Sequence, residues 1–338
     1  MSFFVELRPG GRKFTVEQGE TILVAALRSG IALDHGCSNG SCGDCKARIV
    51  SGRVARIRHH DYVLSAAARA EGQTLLCCMA PLDDLVIEAA TAHGPEDIPR
   101  QQITCRVHKL SPLTTDLMAL HLRTPRSRVL RFLSGQKVTL RLGEGGASAT
   151  HWVASCACDG MNLRFHIPRA THNPFAEQVF AGLARGAKID VDGPSGDFVL
   201  DESSSRATVF VAYDAAFAPI SALIEHAINI DWPHPMRLYW YTPRPGGHYH
   251  DNYCRSWVDA LDDFRFIPVT GTQEPLNAGE SLASHGARRV AARLAGDRDE
   301  LADSDFYLAG PSDFVAALES SLSAAGVAPE RQHTSIDE

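Results

Sequence analysis

Four cysteines constrain this chain more than any other feature. Cys37, Cys42 and Cys45 lie within Gly36-Cys37-Ser38-Asn39-Gly40-Ser41-Cys42-Gly43-Asp44-Cys45, and Cys77 follows Gly72-Gln73-Thr74-Leu75-Leu76. The spacing C-x4-C-x2-C with a distant fourth cysteine is one with which four thiolates hold a two-iron, two-sulfur cluster. A loop that wraps such a group needs small residues, so that its backbone can bend and turn N–H groups toward the sulfurs. Gly36, Ser38, Gly40, Ser41 and Gly43 meet that need. A zinc site would favour paired C-x2-C or C-x2-H units, and the second unit is missing. Cys78, beside Cys77, reads as a buried bystander because adjacent residues point different ways.

With 338 residues the chain is long enough for two or three cores. No apolar run reaches the length of a membrane span, and the first residues lack the basic and apolar regions of a signal peptide. Nine cysteines without an export signal point to a reducing compartment and to metal or redox use. A net charge of −7 and no basic tract argue against nucleic acid as a partner. These features together suggest a soluble, cytoplasmic protein.

Along the chain, Phe3 to Leu7 and Lys13 to Val16 alternate as a hairpin around Pro9-Gly10-Gly11. A helix opens at Glu20-Thr21, carries Ile22, Ala25, Ala26 and Ser29 on one face, and stops at Gly30. Ala47 to Val50 and Leu85 to Ile87 read as strands, and Ala90 to Arg100 as a linker. Short alternating strands follow at Ile103 to Val107, Leu117 to Leu122, Lys137 to Leu142, His151 to Ser155 and Asn162 to Ile167, as in a small antiparallel barrel. From Ala207 the pattern becomes strand–helix alternation, the mark of a doubly wound parallel sheet. The expected architecture is α+β and multidomain. It comprises a small unit around the cysteine loop over 1–93, a linker over 94–101, a six-stranded-type antiparallel β-barrel over 102–203 and an α/β unit over 204–338.

The run Val16-Glu17-Gln18-Gly19-Glu20-Thr21-Ile22-Leu23 through Cys45-Lys46, closed by Leu75-Leu76-Cys77, resembles the ferredoxin domain of oxygenase-type ferredoxin–NAD(P)H reductases. The resemblance implies a β-grasp ferredoxin, a flavin-binding barrel and a nicotinamide-binding domain. It also implies transfer of electrons from NAD(P)H through FAD and the cluster to an oxygenase.

The motifs by which that family holds FAD and NAD(P)H are altered here. Ala149-Thr150-His151-Trp152 falls on the family's Arg-x-Tyr-Ser/Thr, so the phosphate-binding cation is gone and an indole takes the place of a small hydroxyl. His172-Asn173-Pro174-Phe175-Ala176 replaces Gly-Gly-x-x-Ser/Thr, and Pro174 removes a backbone donor. Tyr213-Asp214-Ala215-Ala216 stands in the glycine-rich turn before Phe217-Ala218-Pro219, with Asp214 placed to answer the helix dipole itself and to repel a phosphate. Ala309-Gly310-Pro311 replaces Cys-Gly-Pro, Tyr241-Thr242-Pro243 replaces Gly-x-Arg, and Thr334 to Glu338 lacks the aromatic that covers the flavin. His248-Tyr249-His250-Asp251 with Cys254, the pair Cys156 and Cys158, and His59-His60-Asp61 are further groups of chemically capable side chains. They read as a loop, buried strand thiols and a solvated turn respectively.

The sequence therefore favours a 2Fe-2S electron-transfer protein with a redox protein partner, an oxygenase or a reductase, and a reductase-shaped body that has lost FAD and NAD(P)H. One alternative is a working NAD(P)H-dependent FAD/2Fe-2S reductase. Another is a cluster-bearing sensor or structural subunit.

Overall fold

In the computed structural model, which describes residues 1–58, 63–92, 94–170, 172–271, 276, 279–297 and 301–337, the N-terminal alternation becomes a hairpin of β1 (Ser2–Arg8) and β2 (Lys13–Glu17). Its turn runs through Gly10 and Gly11, both at positive φ, where a Cβ would be strained. The helix α1 (Ile22–Arg28) is capped by Thr21, whose hydroxyl accepts the Val24 N–H at 3.3 Å, and Gly30 ends it at φ +69°. Then come β3 (Lys46–Ser51), β4 (Val54–Arg56), α2 (Ala66–Ala70), β5 (Gln73–Leu75), β6 (Met79–Pro81) and β7 (Leu85–Glu88). The sheet order is β2-β1-β7-β3-β5, with β1 and β7 parallel at its centre. Ile22, Leu23, Ala25 and Ala26 of α1 are buried in a core they share with Val5, Leu7, Val16 and Ile87, the β-grasp arrangement.

Six strands make the second sheet. They are β8 (Gln101–Pro112), β9 (Leu117–Arg123), β10 (Lys137–Arg141), β11 (Ser148–Trp152), β12 (Asn162–Pro168) and, after α3 (Pro174–Gly182), β13 (Lys188–Ser195). All pairs are antiparallel in the order β11-β10-β13-β8-β9-β12. The Ala154 N–H donates to Arg164 O at 2.7 Å just beyond β11, drawing the two edges together into a nearly closed barrel. The expected strand His151 to Ser155 lies three residues early, because after Trp152 the chain leaves β10 and crosses toward β12. Cys156 and Cys158 consequently sit in a turn and not on one face of a strand.

The third sheet is wholly parallel, in the order β16-β15-β14-β17-β18. It runs β14 (Ala207–Tyr213), α4 (Phe217–Asn229), β15 (Met236–Thr242), α5 (Asp251–Ala260), β16 (Phe264–Thr270), α6 (Leu282–Gly296), β17 (Ser304–Pro311), α7 (Ser312–Ala324) and β18 (Gln332–Asp337). Alternate strand residues feed opposite cores: Phe210, Leu238, Trp240 and Tyr307 pack with α4 and α5, while Val209, Val211, Tyr239 and Leu308 pack with α6 and α7. The fold is thus α+β with a ferredoxin-like unit, an antiparallel barrel and a doubly wound sheet, as expected from the sequence. No helix among the described residues is long and apolar enough to cross a membrane. His59, His60 and Asp61 lie outside the described residues.

Candidate functional site

The cysteine loop leaves α1 and returns to β3. Cys37, Cys45 and Cys77 are buried and Cys42 is exposed. The sulfurs are disposed as two pairs. Cys37 Sγ and Cys42 Sγ are 3.1 Å apart, and the Cys45 and Cys77 thiols hydrogen-bond each other. Burial would push the Cys37 thiol up, but N–H groups of Cys42 and Asn39 aimed at the sulfur outweigh it and hold it down to about 7. The Asp44 N–H points at Cys42 Sγ from 3.5 Å. At Gly36 an added Cβ would meet the Asp44 carboxylate, so a larger residue there would require that side chain to move. Four thiols in two pairs inside a ring of N–H donors suit a two-iron group, whose ligands are shared two to each iron. Cys78 Sγ lies 3.7 Å from Cys77 Sγ and is fully buried.

This loop is fastened to the barrel. The Ser38 N–H donates to Arg126 O and the Val129 N–H to Gly36 O, each at 3.0 Å. Arg131, itself mostly buried, meets Asp34 at 2.5 Å.

In the body, side chains fill most of the positions singled out in the sequence, and His151 Nε2 is buried with no hydrogen-bond partner. Ala149, opposite Leu140 on β10, is partly buried against the barrel core. His151 packs on Phe175 with ring centres 5.6 Å apart, and burial lowers its pKa to about 4, keeping it neutral. Trp152 is only 6 % exposed and belongs to the core shared by the barrel edge and the α/β unit. Its Nε1–H donates to Ser335 Oγ on β18 at 2.8 Å, and Lys137 Nζ stands 4.7 Å over its ring while donating to Ile336 O at 2.5 Å. His172 takes a left-handed φ of +66° just before α3. There Asn173 Oδ1 accepts the Ala176 N–H at 3.1 Å, using one of the amides a phosphate would need.

Around the first turn of α4, Asp214 adopts φ +46° and its carbonyl accepts the Trp240 Nε1–H at 3.0 Å. Burial raises its carboxyl pKa to about 6 against the pull of Arg244, with Asp116 adding to the rise. Arg244 is engaged with Asp116 at 2.7 Å. Asp214 opens the 3-10 turn Asp214–Ala216 that leads into α4, whose own N-terminus has no side-chain cap. Burial makes its carboxylate costly. Tyr213 lies against Tyr241 and Phe314, with ring centres 5.3 and 5.1 Å away, and Phe217 stacks on Trp240 at 4.0 Å. Ala309 is fully buried between Ala212 and Ser335.

Residues 5–82 match the model of the 2Fe-2S iron-sulfur cluster binding domain. Over 278 residues the chain is 30% identical to the reductase subunit of an aromatic O-demethylase from Amycolatopsis sp., covering 80% of each chain. It is 26% identical over 287 residues to the CDP-6-deoxy-L-threo-D-glycero-4-hexulose-3-dehydrase reductase of Yersinia pestis, 85% of each chain. Among solved structures, the Amycolatopsis cytochrome P450 reductase GcoB superposes with a TM-score of 0.60 at 26% identity, over 99% of this chain and 98% of its own. The chain belongs to the oxygenase-type ferredoxin–NAD(P)H reductase family. It carries that family's 2Fe-2S domain and its FAD/NAD reductase fold.

Within this family member, the structure gathers Cys37, Cys42, Cys45 and Cys77 at one place, while the body positions fall at separate places. Trp152, Ala309 and Ser335 meet at the seam between barrel and α/β unit, Ala149 and Ala176 belong to the barrel core with His151 against its Phe175, and Tyr213 and Asp214 head α4. Sequence reasoning missed Lys137 and Ser335 as the partners of Trp152. Nothing local signals them, since they are 15 and 183 residues away. His248, Tyr249 and His250 do not converge. His248 Nε2 is 2.8 Å from Trp240 O, the Tyr249 hydroxyl is 3.1 Å from His166 Nδ1, and Asp251 pairs with Arg255.

Proposed function

We propose that this protein is a 2Fe-2S electron carrier whose reductase body no longer binds FAD or NAD(P)H, and that it exchanges single electrons with a redox protein partner of an oxygenase system or a related redox enzyme. Cys37, Cys42, Cys45 and Cys77 would hold the cluster, which supplies one-electron transfer when bound. The protein's own contribution is the ring of N–H donors around the sulfurs, which favours the more negative state. The exposed edge at Ser41 and Cys42 leaves a short path to a docked partner.

The observation that carries the loss of flavin binding is Trp152. Its indole occupies the position the family gives to a small hydroxyl beside the flavin. It is tied there from two sides by Ser335 and Lys137. Two further changes support the reading. Asn173 has taken an amide at the α3 N-terminus, and a dinucleotide phosphate near α4 would meet a buried carboxyl in place of glycine amides. Without the family's arginine and its glycine-rich turns, little offsets the desolvation of a diphosphate.

A second reading, a working reductase, is favoured by the breadth of the likeness, since relatives named as reductases are matched over most of their length. The two separate on NADH and NADPH oxidation with an artificial acceptor, with and without added FAD. The proposal expects no activity above the protein-free rate in either case. Flavin-dependent NADH turnover would promote the second reading.

A further inference from the structure

Residues of the ferredoxin unit, the connecting segment, the barrel and the α/β unit together line a cleft of about 710 Å³. Cys158, His226 and Glu202 stand on its wall, with Cys156 buried behind them. These groups form one hydrogen-bonded set. Asn229 Nδ2 donates to Cys156 Sγ at 3.3 Å and to Cys158 Sγ at 3.2 Å. The Cys158 N–H donates to Cys156 Sγ at 3.2 Å, and the two thiols bond each other. The His226 ring bonds the Cys156 thiol and, at 2.9 Å through Nε2, Glu202, which Arg12 holds from the other side at 2.9 Å.

A thiol buried only to fill space has no such company. Cys105 and Cys254 are examples, and burial pushes each of them up to about 12. Cys156 goes the opposite way, well below its ordinary value, because the Cys158 thiol and the His226 cation both favour its thiolate. Burial would lower His226, but Cys156 and Glu202 outweigh it and raise it to about 9.

We propose that Cys156 and Cys158 are a redox-active dithiol that reduces low-molecular-weight disulfides admitted through this cleft, closing to a Cys156–Cys158 disulfide. Its hydrogen bond to Cys156 disfavours a free Cys158 thiolate, so Cys158, the thiol that lines the cleft, attacks one sulfur of the small disulfide as the Cys156 thiolate takes its proton. A Cys158–S–S–R bond forms, the R–S–S–R bond breaks, and one thiolate leaves. That thiolate takes the Cys156 proton. Cys156 then attacks Cys158 Sγ, the protein disulfide forms, and the second thiolate leaves to be protonated by water. Two electrons pass from the cysteine pair to the small disulfide, which becomes two thiols. His226 acts through Cys156 and is a positioning residue. The charged and titratable groups facing this set are Glu202, Arg12, Glu225, Arg164, Tyr253 and Asp159. The site is independent of whether the body binds flavin.

The test uses the full-length protein with its cluster intact. Exposure to 5,5′-dithiobis(2-nitrobenzoate), followed by alkylation and trypsin, isolates both cysteines in the peptide 142–164. The expected product is that peptide lighter by two hydrogens and unalkylated, with two equivalents of thionitrobenzoate released per chain. Cys158→Ser should yield no such peptide. His226→Gln should slow the reaction at pH 6 by roughly tenfold or more and leave it little changed at pH 9, the signature of a lost thiolate partner. Recovery of the peptide with both thiols still alkylatable would overturn the proposal, as would one equivalent of zinc that blocks the reaction. If His226→Gln does not fold, Cys158→Ser and the wild-type mass decide alone.

Discussion

Replacing Trp152 by alanine tests whether the indole is a structural plug at the seam between barrel and α/β unit. Three contributions are lost together. Truncating a nearly buried tryptophan in a packed core costs about 3–5 kcal/mol. Within that total, the Nε1–H bond to Ser335 Oγ accounts for about 0.5–1.5 kcal/mol and the Lys137 cation over the ring for about 0.5–1 kcal/mol. For a cooperative unit of roughly 200 residues, each kcal/mol lowers Tm by about 2–4 °C, so the loss should be about 6–20 °C. Differential scanning calorimetry is the appropriate assay, because it resolves the ferredoxin unit's transition from that of the body. Ser335→Ala should reproduce only the hydrogen-bond share, and its effect should vanish on the Trp152→Ala background. A Trp152→Ala shift below about 2 °C would refute the reasoning, since it would mean that the ring sits in a slot the protein can leave empty. The companion variant Ala149→Arg with Trp152→Ser asks whether a flavin pocket survives beneath. If it does, FAD at a hundred times its Kd should return about 2.7 kcal/mol of the loss.

Three further outcomes are expected. Cys42→Ser or Cys45→Ser should abolish the visible spectrum and the reduced-state paramagnetic signal, while Cys78→Ser should keep both; a normal two-iron spectrum in the first pair would sink the ligand assignment. Asp214 has a raised pKa in the fold, so the folded state holds a proton that the unfolded state releases above its ordinary value near 3.8. Stability should therefore fall as pH rises from about 4 through about 6, and Asp214→Asn, which tolerates the same left-handed backbone, should be more stable than wild type by up to about 3 kcal/mol at pH 7.5 and by less than about 1 kcal/mol near pH 4. Urea unfolding at the two pH values measures the difference, and a variant less stable at pH 7.5 would contradict the sign. Asp34→Ala should leave the mostly buried Arg131 without its carboxylate partner, loosen the ferredoxin unit from the barrel, and speed proteolysis within 89–100 severalfold relative to wild type; an unchanged rate would show that the pair does not hold the two units together.

Much of the architecture was legible because local chemistry and tertiary environment agree. Thr21 and Gly30 bound α1 as a cap and a left-handed stop, and the central strands of the α/β unit are continuous apolar runs because both faces are covered. Edge elements were less legible. Gln332–Asp337 has little apolar content, and it is a strand because β17 offers it a free ladder. Lys188–Ser195 alternates with charged residues and became visible as a strand only between β8 and β10. The cysteine loop could be read because three of its ligands fall within nine residues. The set at Cys156, Cys158, Glu202, His226 and Asn229 could not, because a turn, a connecting segment and a helix bring it together from across 74 residues. Altered motifs at Ala149, Trp152, His172 and Asp214 told where to look. What fills each position depended on partners remote in sequence.

The most direct test of the central claim is the flavin-to-iron ratio of the purified full-length protein, measured after mild denaturation so that any bound FAD is released. The account expects two irons per chain and flavin far below one per chain, with no increase after incubation with FAD and desalting. One FAD per chain, retained alongside two irons and reducing the cluster when NADH is added, would contradict it.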